Sequence, residues 1–168
     1  MEQSEPKWLF VPMEEEHGKQ ICLWRYPEPY SVFNWSPWKE LEARSEEFGD
    51  PGIRKEQFEA VLDDTGELCG FAQFFPLVGW TRLGLGLRPD LCGQGLGPSF
   101  TGAIVGRAMQ RQPQNRIDLE VLTANVRAKR AYLKAGFAIR DTYVRNTPTG
   151  PDEFHCMVYE GGPRPTVV

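Results

Sequence analysis

A strand, a glycine-rich loop and a helix follow one another in the middle of the chain, and this succession constrains the fold more than any other feature. Alternate leucines predict the strand Thr81–Leu87, whose other face Gly84 and Gly86 leave nearly bare. A bare strand face is typical of a bulge or of a close ligand. The loop Arg88–Gly97 carries glycines at positions 93, 95 and 97, and the helix after it begins at Pro98. Converging backbone N–H groups and the positive end of a helix suit a pyrophosphate, so the segment predicts an anion-binding loop.

Two familiar phosphate-binding loops do not match this segment. A Walker loop needs Gly-Lys followed by Ser or Thr after its four variable residues, and a dinucleotide-binding loop needs Gly where this chain has Pro98. The remaining alternative is a tight connection between strand and helix that binds no ligand.

The flanking sequence alternates between strand and helix patterns. Two apolar runs joined by the turn-forming residues 63–67 predict a β-hairpin, Phe58–Leu62 with Leu68–Phe75. Before the hairpin, an ordered aromatic loop, Trp24–Trp38, leads into an acidic helix, Lys39–Phe48. After the glycine loop we expect the strand Arg116–Leu122, the helix Asn125–Ala135 with Gly136 as its C-terminal cap, and the strands Phe137–Arg145 and Phe154–Glu160.

Composition limits the class of protein. The chain has 168 residues, so we expect a single domain over residues 1–168 with a frayed tail from about residue 161. No stretch approaches the roughly 20 apolar residues of a membrane span, and Met1–Pro6 has no apolar signal segment, so we expect a cytoplasmic protein without membrane contact. The net charge of −4 argues against nucleic acid as a partner. Four scattered cysteines and two histidines show no metal-ligand spacing, so we expect free thiols and no metal.

A second group of residues, Glu120, Asn125 and Tyr132, is spaced so that all three can line one cleft. Asn125 and Tyr132 lie two helical turns apart, and Glu120 lies on the strand that leads into their helix. A primary amine is mostly protonated at neutral pH, and a carboxylate that removes the proton makes it nucleophilic. Glu120 suits that task, with Asp118 and His155 as alternatives. The other interpretations are a salt-bridged strand face for Glu120 and a core position for Tyr132.

The two motifs, Cys92–Gly97 and the helix from Asn125 to Phe137, resemble those of the GNAT superfamily of acetyl-CoA-dependent N-acetyltransferases, and the resemblance covers Phe58–Tyr159. It implies a mixed α/β fold with a mostly antiparallel central sheet, flanked by helices, whose two central strands splay apart around the pantetheine. It also implies acetyl-CoA as co-substrate. The residues that it assigns to cofactor binding are Leu87, Arg88, Cys92, Gly93, Gln94, Gly95, Leu96, Gly97, Pro98, Asn125 and Tyr132. Cys92 departs from the Gln or Arg usual at its position, and we expect weaker cofactor affinity at worst.

The spacing of Glu120 and Tyr132 is similar to that in the ribosomal-protein N-terminal alanine acetyltransferases of this superfamily, where the glutamate acts as base and the tyrosine as acid. The resemblance therefore implies that Glu120 and Tyr132 are catalytic and that the N–H of Leu87 binds the thioester oxygen. We expect direct acetyl transfer to a primary amine in a ternary complex. The alternative is a catalytically silent acyl-CoA-binding module. The sequence leaves open whether the amine belongs to a small molecule or a protein N-terminus, and whether the protein forms a homodimer.

Overall fold

The computed structural model describes residues 6–161, and its strands and helices follow one another much as the sequence patterns predict. The strands are β1 (Leu9–Pro12), β2 (Phe58–Leu62), β3 (Leu68–Leu77), β4 (Trp80–Leu87), β5 (Arg116–Leu122), β6 (Phe137–Thr147) and β7 (Gly150–Tyr159). The α-helices are α1 (Glu15–Leu23), α2 (Trp38–Arg44), α3 (Pro51–Gln57), α4 (Gly97–Arg111) and α5 (Val126–Ala135). Two predictions concern residues outside this range. Most of the start that we predict to lack a signal segment falls in residues 1–5, and most of the predicted frayed tail falls in residues 162–168, so both lie outside the described residues.

The strands are hydrogen-bonded in the order β1-β2-β3-β4-β5-β7-β6. The ladder between β4 and β5 is parallel, whereas β1–β2, β2–β3, β5–β7 and β6–β7 are antiparallel. The predicted mixed α/β class with a mostly antiparallel sheet is therefore confirmed. The β4–β5 ladder ends at the pair Leu83 and Leu119, although β4 continues to Leu87 and β5 to Leu122. The splayed central strands that the family resemblance implies stay a prediction.

Contacts divide the chain into two compact units. The first comprises Met1–Phe74 and Leu85–Gln94, and the second comprises Phe75–Gly84 and Gly95–Val168. The chain passes from one unit to the other three times, within β3, within β4 and in the glycine loop. The single domain over residues 1–168 that the sequence predicts stays a prediction.

The first unit has an aromatic core centred on Phe48. The rings of Trp35 and Phe58 lie 4.6 and 5.5 Å from that of Phe48, each in an edge-on arrangement. Trp38 stacks on Phe48, and a Cβ on Gly18 of α1 would come within 2.5 Å of the Trp38 ring. The tryptophans of the aromatic loop therefore serve the core, because their rings exclude water from the first unit.

The second unit contains two amphipathic helices, α4 and α5, which contact each other. The buried residues of α4 recur at helical spacing, and they are Phe100, Thr101, Ile104, Val105 and Ala108. Helix α5 ends at Gly136, whose φ of +108° confirms the predicted C-terminal cap. Gly97 and Pro98, both predicted cofactor-binding residues, form the first turn of α4, and a Cβ on Gly97 would lie 2.9 Å from the Cβ of Ala131. Glycine at this position therefore lets α4 and α5 approach closely.

The predicted helix Lys39–Phe48 is wrong at its C-terminal end. Helix α2 stops at Arg44 because Ser45 has a φ of +52°, in the left-handed region that ends helices. A further helix, α3, was missed. Asp50 caps it by accepting a hydrogen bond from the N–H of Ile53 at 2.9 Å, and Pro51 occupies its first turn. The Asp-Pro pair is a helix-start signal that the sequence carries.

Candidate active site

The glycine-rich loop has the backbone conformation that an anion site needs. Gly93 and Gly95 have φ angles of +76° and +79°, and a Cβ on either would meet no atom within 4 Å. Leu96, next to Gly95, is in the right-handed helical region, and within the described residues no side chain caps α4 there. Alternating left- and right-handed residues turn successive N–H groups to one side. Gln94 steadies the loop by donating from Nε2 to Asp90 O at 2.6 Å. The residues present therefore fit an anionic pyrophosphate.

Arg88, a predicted cofactor-binding residue, is engaged within the first unit. Its Nε and Nη2 bind the Asp90 carboxylate at 2.6 and 3.1 Å, and this hydrogen bonding raises the pKa of Arg88. Its Nη1 donates to Leu68 O at 2.8 Å, and its backbone N–H donates to Cys69 O at 2.9 Å. These contacts give Arg88 a structural role, and its contact with the cofactor stays a prediction.

Leu87, whose N–H is predicted to bind the thioester oxygen, has its carbonyl fixed by the aromatic loop. Tyr26 Oη donates to Leu87 O at 2.7 Å, and the backbone N–H of Tyr26 donates to Asn34 Oδ1 at 2.7 Å. The Sγ atom of Cys92 lies 3.7 Å from the same Leu87 carbonyl. Sequence reasoning missed Tyr26, because its contact with Leu87 joins residues 61 positions apart and no local pattern signals it.

Glu120 is the first residue of β5 beyond the segment paired with β4. Its Oε2 accepts a hydrogen bond from Tyr143 Oη at 2.6 Å and forms an ion pair with Arg145, whose Nε lies 3.2 Å away. Its Oε1 accepts from Arg82 Nη1 at 3.3 Å. The ion-paired strand face considered as the alternative for Glu120 is therefore present. Since a carboxylate oxygen accepts two hydrogen bonds, Oε1 keeps a place for one further donor, and the catalytic role of Glu120 stays a prediction.

Asp118, the other carboxylate considered as a base, belongs to a bidentate ion pair. Arg82 Nη2 and Nε donate to its two oxygens at 2.9 and 3.1 Å, and the Asp118 residue is 6% exposed. This hydrogen bonding raises the pKa of Arg82. The thiol of Cys156 lies 3.8 Å from Asp118 Oδ2. Asp118 is therefore the structural partner of Arg82, and Glu120 has the more accessible carboxylate.

Tyr132 combines a packed ring with an unpartnered hydroxyl. The ring lies 6.1 Å from that of Phe137, and burial raises the pKa of Tyr132 to about 12. No residue in the described range 6–161 hydrogen-bonds the hydroxyl. Asn125, predicted on the same helix face, is instead the N-terminal cap of α5, and its Oδ1 accepts from the N–H of Ala128 at 3.2 Å. The capping contact leaves the Asn125 amide NH₂ for other partners.

His155, the third base considered, lies on β7 next to Cys156, and Cys156 is opposite Glu120 in the β5–β7 register. Because side chains alternate along a strand, the side chain of His155 lies on the other face of the sheet from those of Cys156 and Glu120. The Nδ1 atom of His155 lies 2.8 Å from Thr142 Oγ1. Across residues 6–161, no three His, Cys, Asp or Glu side chains are grouped so that they could hold a metal ion. Likewise, none of the helices described is both long and apolar enough to cross a membrane.

Three partners of Glu120 were missed by sequence reasoning: Arg82, Tyr143 and Arg145. Arg82 precedes the alternating leucines of β4, so strand alternation does place it on the face opposite them. Tyr143 and Arg145 come from β6, which contacts β5 only through β7 in the strand order. Their reach toward Glu120 depends on a register shift between Ile139 and Asp141, which no local pattern predicts.

Comparisons with known proteins agree with this architecture. Residues 8–138 match the family described as the acetyltransferase (GNAT) domain. A chimera of the spermidine N-acetyltransferase from Vibrio cholerae with hSSAT superposes with a TM-score of 0.72 at 16% identity, covering 93% of this chain and 95% of that one. The ribosomal-protein-S18-alanine N-acetyltransferase from Escherichia coli gives a TM-score of 0.65 at 17% identity, covering 96% and 99%.

A further similar structure holds a cofactor. The Vibrio cholerae spermidine N-acetyltransferase in complex with CoA and spermine has a TM-score of 0.65 at 16% identity, covering 90% of this chain and 94% of that one. At such identities the likeness concerns the fold alone. A search of curated proteins finds no match. Because the family match spans most of its length, the chain belongs to the GNAT acetyltransferase family and is an acetyl-CoA-dependent N-acetyltransferase.

Proposed function

We propose that the protein transfers the acetyl group of acetyl-CoA directly to a primary amine while both substrates are bound. Bound acetyl-CoA supplies a thioester carbonyl, which the amine attacks. The C–N bond forms and the C–S bond breaks, and the nitrogen releases its second proton through water while the leaving thiolate takes up a proton, so that the products are an amide and a free thiol. The structural neighbours include enzymes named for acetylating spermidine and the alanine of ribosomal protein S18, which supports an amine acceptor. The observation that carries the proposal is the hydroxyl of Tyr132, which no described residue engages although the ring is packed.

The glycine loop is assigned to the pyrophosphate of the cofactor. Its positive-φ residues Gly93 and Gly95 have open space where a Cβ would lie, so the backbone amides are accessible to a ligand. The N-terminus of α4 adds a favourable dipole for negative charge. The predicted contacts of Leu87, Arg88, Cys92 and Asn125 remain part of this assignment.

Glu120 is assigned to the removal of the amine proton, directly or through one water molecule. Its Oε1 has one place left for a donor, and its side chain is 17% exposed on this strand face. Tyr143 and Arg145 hold Oε2, so the carboxylate is fixed in direction before an amine arrives. The N–H bond of the ammonium breaks, its electron pair becomes the nucleophile, and the proton goes to Glu120 or to the water between them.

Tyr132 is assigned to the leaving sulfur, to which its hydroxyl donates a hydrogen bond as the C–S bond breaks. The Tyr132 hydroxyl forms no hydrogen bond with any residue in the range 6–161. It can therefore donate to the sulfur without first breaking a hydrogen bond within the protein.

The test of this proposal compares Glu120→Gln with Asp118→Asn. Both changes remove one carboxylate charge next to Arg82, yet only Glu120 is assigned to the reaction. We expect Glu120→Gln to lower kcat by about 100-fold or more while acetyl-CoA affinity stays within about threefold. We expect Asp118→Asn mainly to lower the free energy of unfolding, because it leaves the partly buried Arg82 without its bidentate partner.

The measurements are thiol release from acetyl-CoA with a panel of amines and peptides, and calorimetric binding of CoA. An unchanged rate in Glu120→Gln would refute the assignment of the base. Thiol release in the Asp118→Asn protein, measured below its unfolding transition, controls for the general effect of removing a charge.

The second candidate function is a catalytically silent acyl-CoA-binding module. The observation that favours it is that both Glu120 oxygens already have protein partners: Oε1 accepts from Arg82, and Oε2 accepts from Tyr143 and forms an ion pair with Arg145. That arrangement is also expected of a purely structural carboxylate. Tight CoA binding without thiol release on any acceptor of the panel would favour this module.

A further inference from the structure

The N–H of Leu87 points to the edge of β4 that faces away from β3. The next residue, Arg88, donates its N–H to Cys69 O in β3 at 2.9 Å. The backbone groups of successive residues in an extended chain point to opposite edges, so those of Leu87 point away from β3. The ladder with β5 has its last pair at Leu83 and Leu119, before Leu87 is reached. That ladder therefore does not use the N–H of Leu87.

Tyr26 holds the carbonyl of the same residue. Its Oη donates to Leu87 O at 2.7 Å, the usual length of a well-formed O–H···O hydrogen bond. The N–H and C=O groups of one extended residue point to the same edge, so the Tyr26 hydroxyl and the Leu87 N–H share an edge of β4. The Cys92 thiol lies 3.7 Å from the same oxygen, but a thiol is a weak donor. Tyr26 is therefore the stronger of these two donors to Leu87.

The backbone before Leu87 depends on such contacts for its direction. A Cβ on Gly86 would lie 2.2 Å from Cε1 of the Phe71 ring, so glycine is required there. Glycine has no side chain to restrict its dihedral angles, and the chain is flexible at this point. The peptide group that carries the Leu87 N–H lies between Gly86 and the carbonyl that Tyr26 holds. Its direction is set by the contacts on its two sides, the Phe71 ring and the Tyr26 hydroxyl.

Tyr26 is itself fixed by the aromatic loop Trp24–Trp38. Its backbone N–H donates to Asn34 Oδ1 at 2.7 Å. The ring of Trp24, two residues earlier, lies 6.4 Å from that of Phe71, the residue that packs on Gly86. The loop thus holds both side chains that border the Gly86–Leu87 peptide group. A hydrogen-bond donor fixed before its ligand binds is the arrangement that stabilises charge in a transition state.

We propose that Tyr26 is a positioning residue for the transfer of the acetyl group. Its hydroxyl holds Leu87 so that the Leu87 N–H points at the thioester oxygen, which gains negative charge when the amine attacks. The inference rests on the proposed acetyl transfer and on the assignment of Leu87 to that oxygen. In this role Tyr26 acts through Leu87 and exchanges no proton with either substrate.

The test is Tyr26→Phe, which keeps the ring and removes the hydroxyl. The first measurement is the C=O stretching frequency of protein-bound acetyl-CoA labelled with ¹³C at the thioester carbonyl, recorded without an acceptor by isotope-difference infrared spectroscopy. A hydrogen bond to this oxygen weakens the C=O bond. We therefore expect a lower frequency on wild type than in free acetyl-CoA, and an intermediate frequency on Tyr26→Phe.

The second measurement is the single-turnover rate of acetyl transfer to the best amine of the panel. We expect this rate to fall about tenfold in Tyr26→Phe, because a misdirected donor keeps part of the effect of about 100-fold or more that a whole donor has. Calorimetric CoA affinity should stay within about threefold, since the variant leaves the glycine loop unchanged.

Ser31→Ala is the matched control. The Ser31 hydroxyl donates to the Glu28 carboxylate, so this variant also removes a hydroxyl and a hydrogen bond from the aromatic loop. Neither residue contacts Leu87 through that bond, and we expect the wild-type frequency and rate. Equal changes in Ser31→Ala and Tyr26→Phe would show that loosening the loop is sufficient, and would overturn the assignment to Tyr26.

The infrared frequency separates this inference from the proposed function. A frequency that depends on Tyr26, without thiol release on any acceptor, would leave the positioning of Leu87 standing while acetyl transfer fails. Thiol release with the same frequency on wild type and Tyr26→Phe would leave acetyl transfer standing and overturn the inference. A shifted frequency with a wild-type single-turnover rate would also overturn it, because the direction of the Leu87 N–H would then not affect the reaction.

Discussion

The pKa of Tyr132 decides how this residue can assist the departure of sulfur. Burial raises that pKa to about 12. A thiol has a pKa of about 8.5, well below that of Tyr132, so full proton transfer from Tyr132 to the thiolate is uphill. The hydroxyl is therefore suited to stabilise developing negative charge by a hydrogen bond, and poorly suited to give up its proton.

This leads to a prediction on pH dependence. We expect Tyr132→Phe to keep its fold and CoA affinity and to lower kcat by about 10- to 100-fold, because one hydrogen bond to a developing charge is lost. Since Tyr132 stays protonated until the pH approaches its raised pKa, the kcat/KM profiles of wild type and variant should run parallel from about pH 7 to pH 10. Steady-state kinetics over that range is the measurement. An alkaline limb that is present in wild type and missing in Tyr132→Phe would show that Tyr132 ionises below pH 10, which contradicts its raised pKa.

Individual residues also show where sequence reasoning reaches its limit. The sequence predicts that Glu120 and Tyr132 lie near each other because the strand, turn and helix that join them are consecutive in the chain. It does not predict the partners of Glu120, because these come from β4 and β6, which are distant in the chain. The bare face of Gly86 suggested a close ligand. In the structure a Cβ at Gly86 would clash with the ring of Phe71, so the protein's own core occupies that space. A missing side chain is visible in a sequence, whereas the group that fills its place is not.

Among the helices and strands, the most accurate predictions are those in which particular residues mark where the element begins and ends. The strand Arg116–Leu122 was predicted with the bounds that the structure has, and α5 was placed within one residue because Asn125 caps it and Gly136 ends it. The predicted β-hairpin of β2 and β3 is confirmed, with the Asp63 carboxylate accepting from the N–H groups of Thr65 and Glu67 in the turn. The sequence predicts too long a helix α2, because the serine at position 45 does not by itself indicate the left-handed conformation that ends the helix.

The glycine loop gives a prediction that belongs to the element as a whole. We expect Gly95→Val to weaken CoA binding by about 100-fold or more, because the branched side chain strains the positive φ and fills the open space above the amides. Gly79→Val is the matched control. Its φ of +76° is close to the +79° of Gly95 and its Cβ would also meet open space, yet it lies in the turn between β3 and β4. Calorimetry with CoA and thermal unfolding of both variants are the measurements. Equal loss of CoA affinity in the two variants would attribute the effect to strain and remove the loop from the site.

The two compact units raise the question of whether the whole chain unfolds as one. Both β3 and β4 are continuous strands that contribute residues to each unit, since the boundaries fall after Phe74 and after Gly84. We therefore expect the chain to unfold in one transition, as a single domain would.

The five tryptophans allow that expectation to be tested. Four of them fall in the first unit, and the second contains only Trp80, which stacks with Arg116 at 4.5 Å. In a Trp80→Phe variant, fluorescence thus reports on the first unit alone, whereas far-UV circular dichroism reports on the helices and strands of both. We expect the two signals to give one urea transition with the same midpoint and slope, because neither unit has a complete set of strands without the other. Wild type measured in parallel shows whether the substitution itself shifts the transition. A fluorescence midpoint separated from the circular dichroism midpoint would show instead that the first unit folds independently.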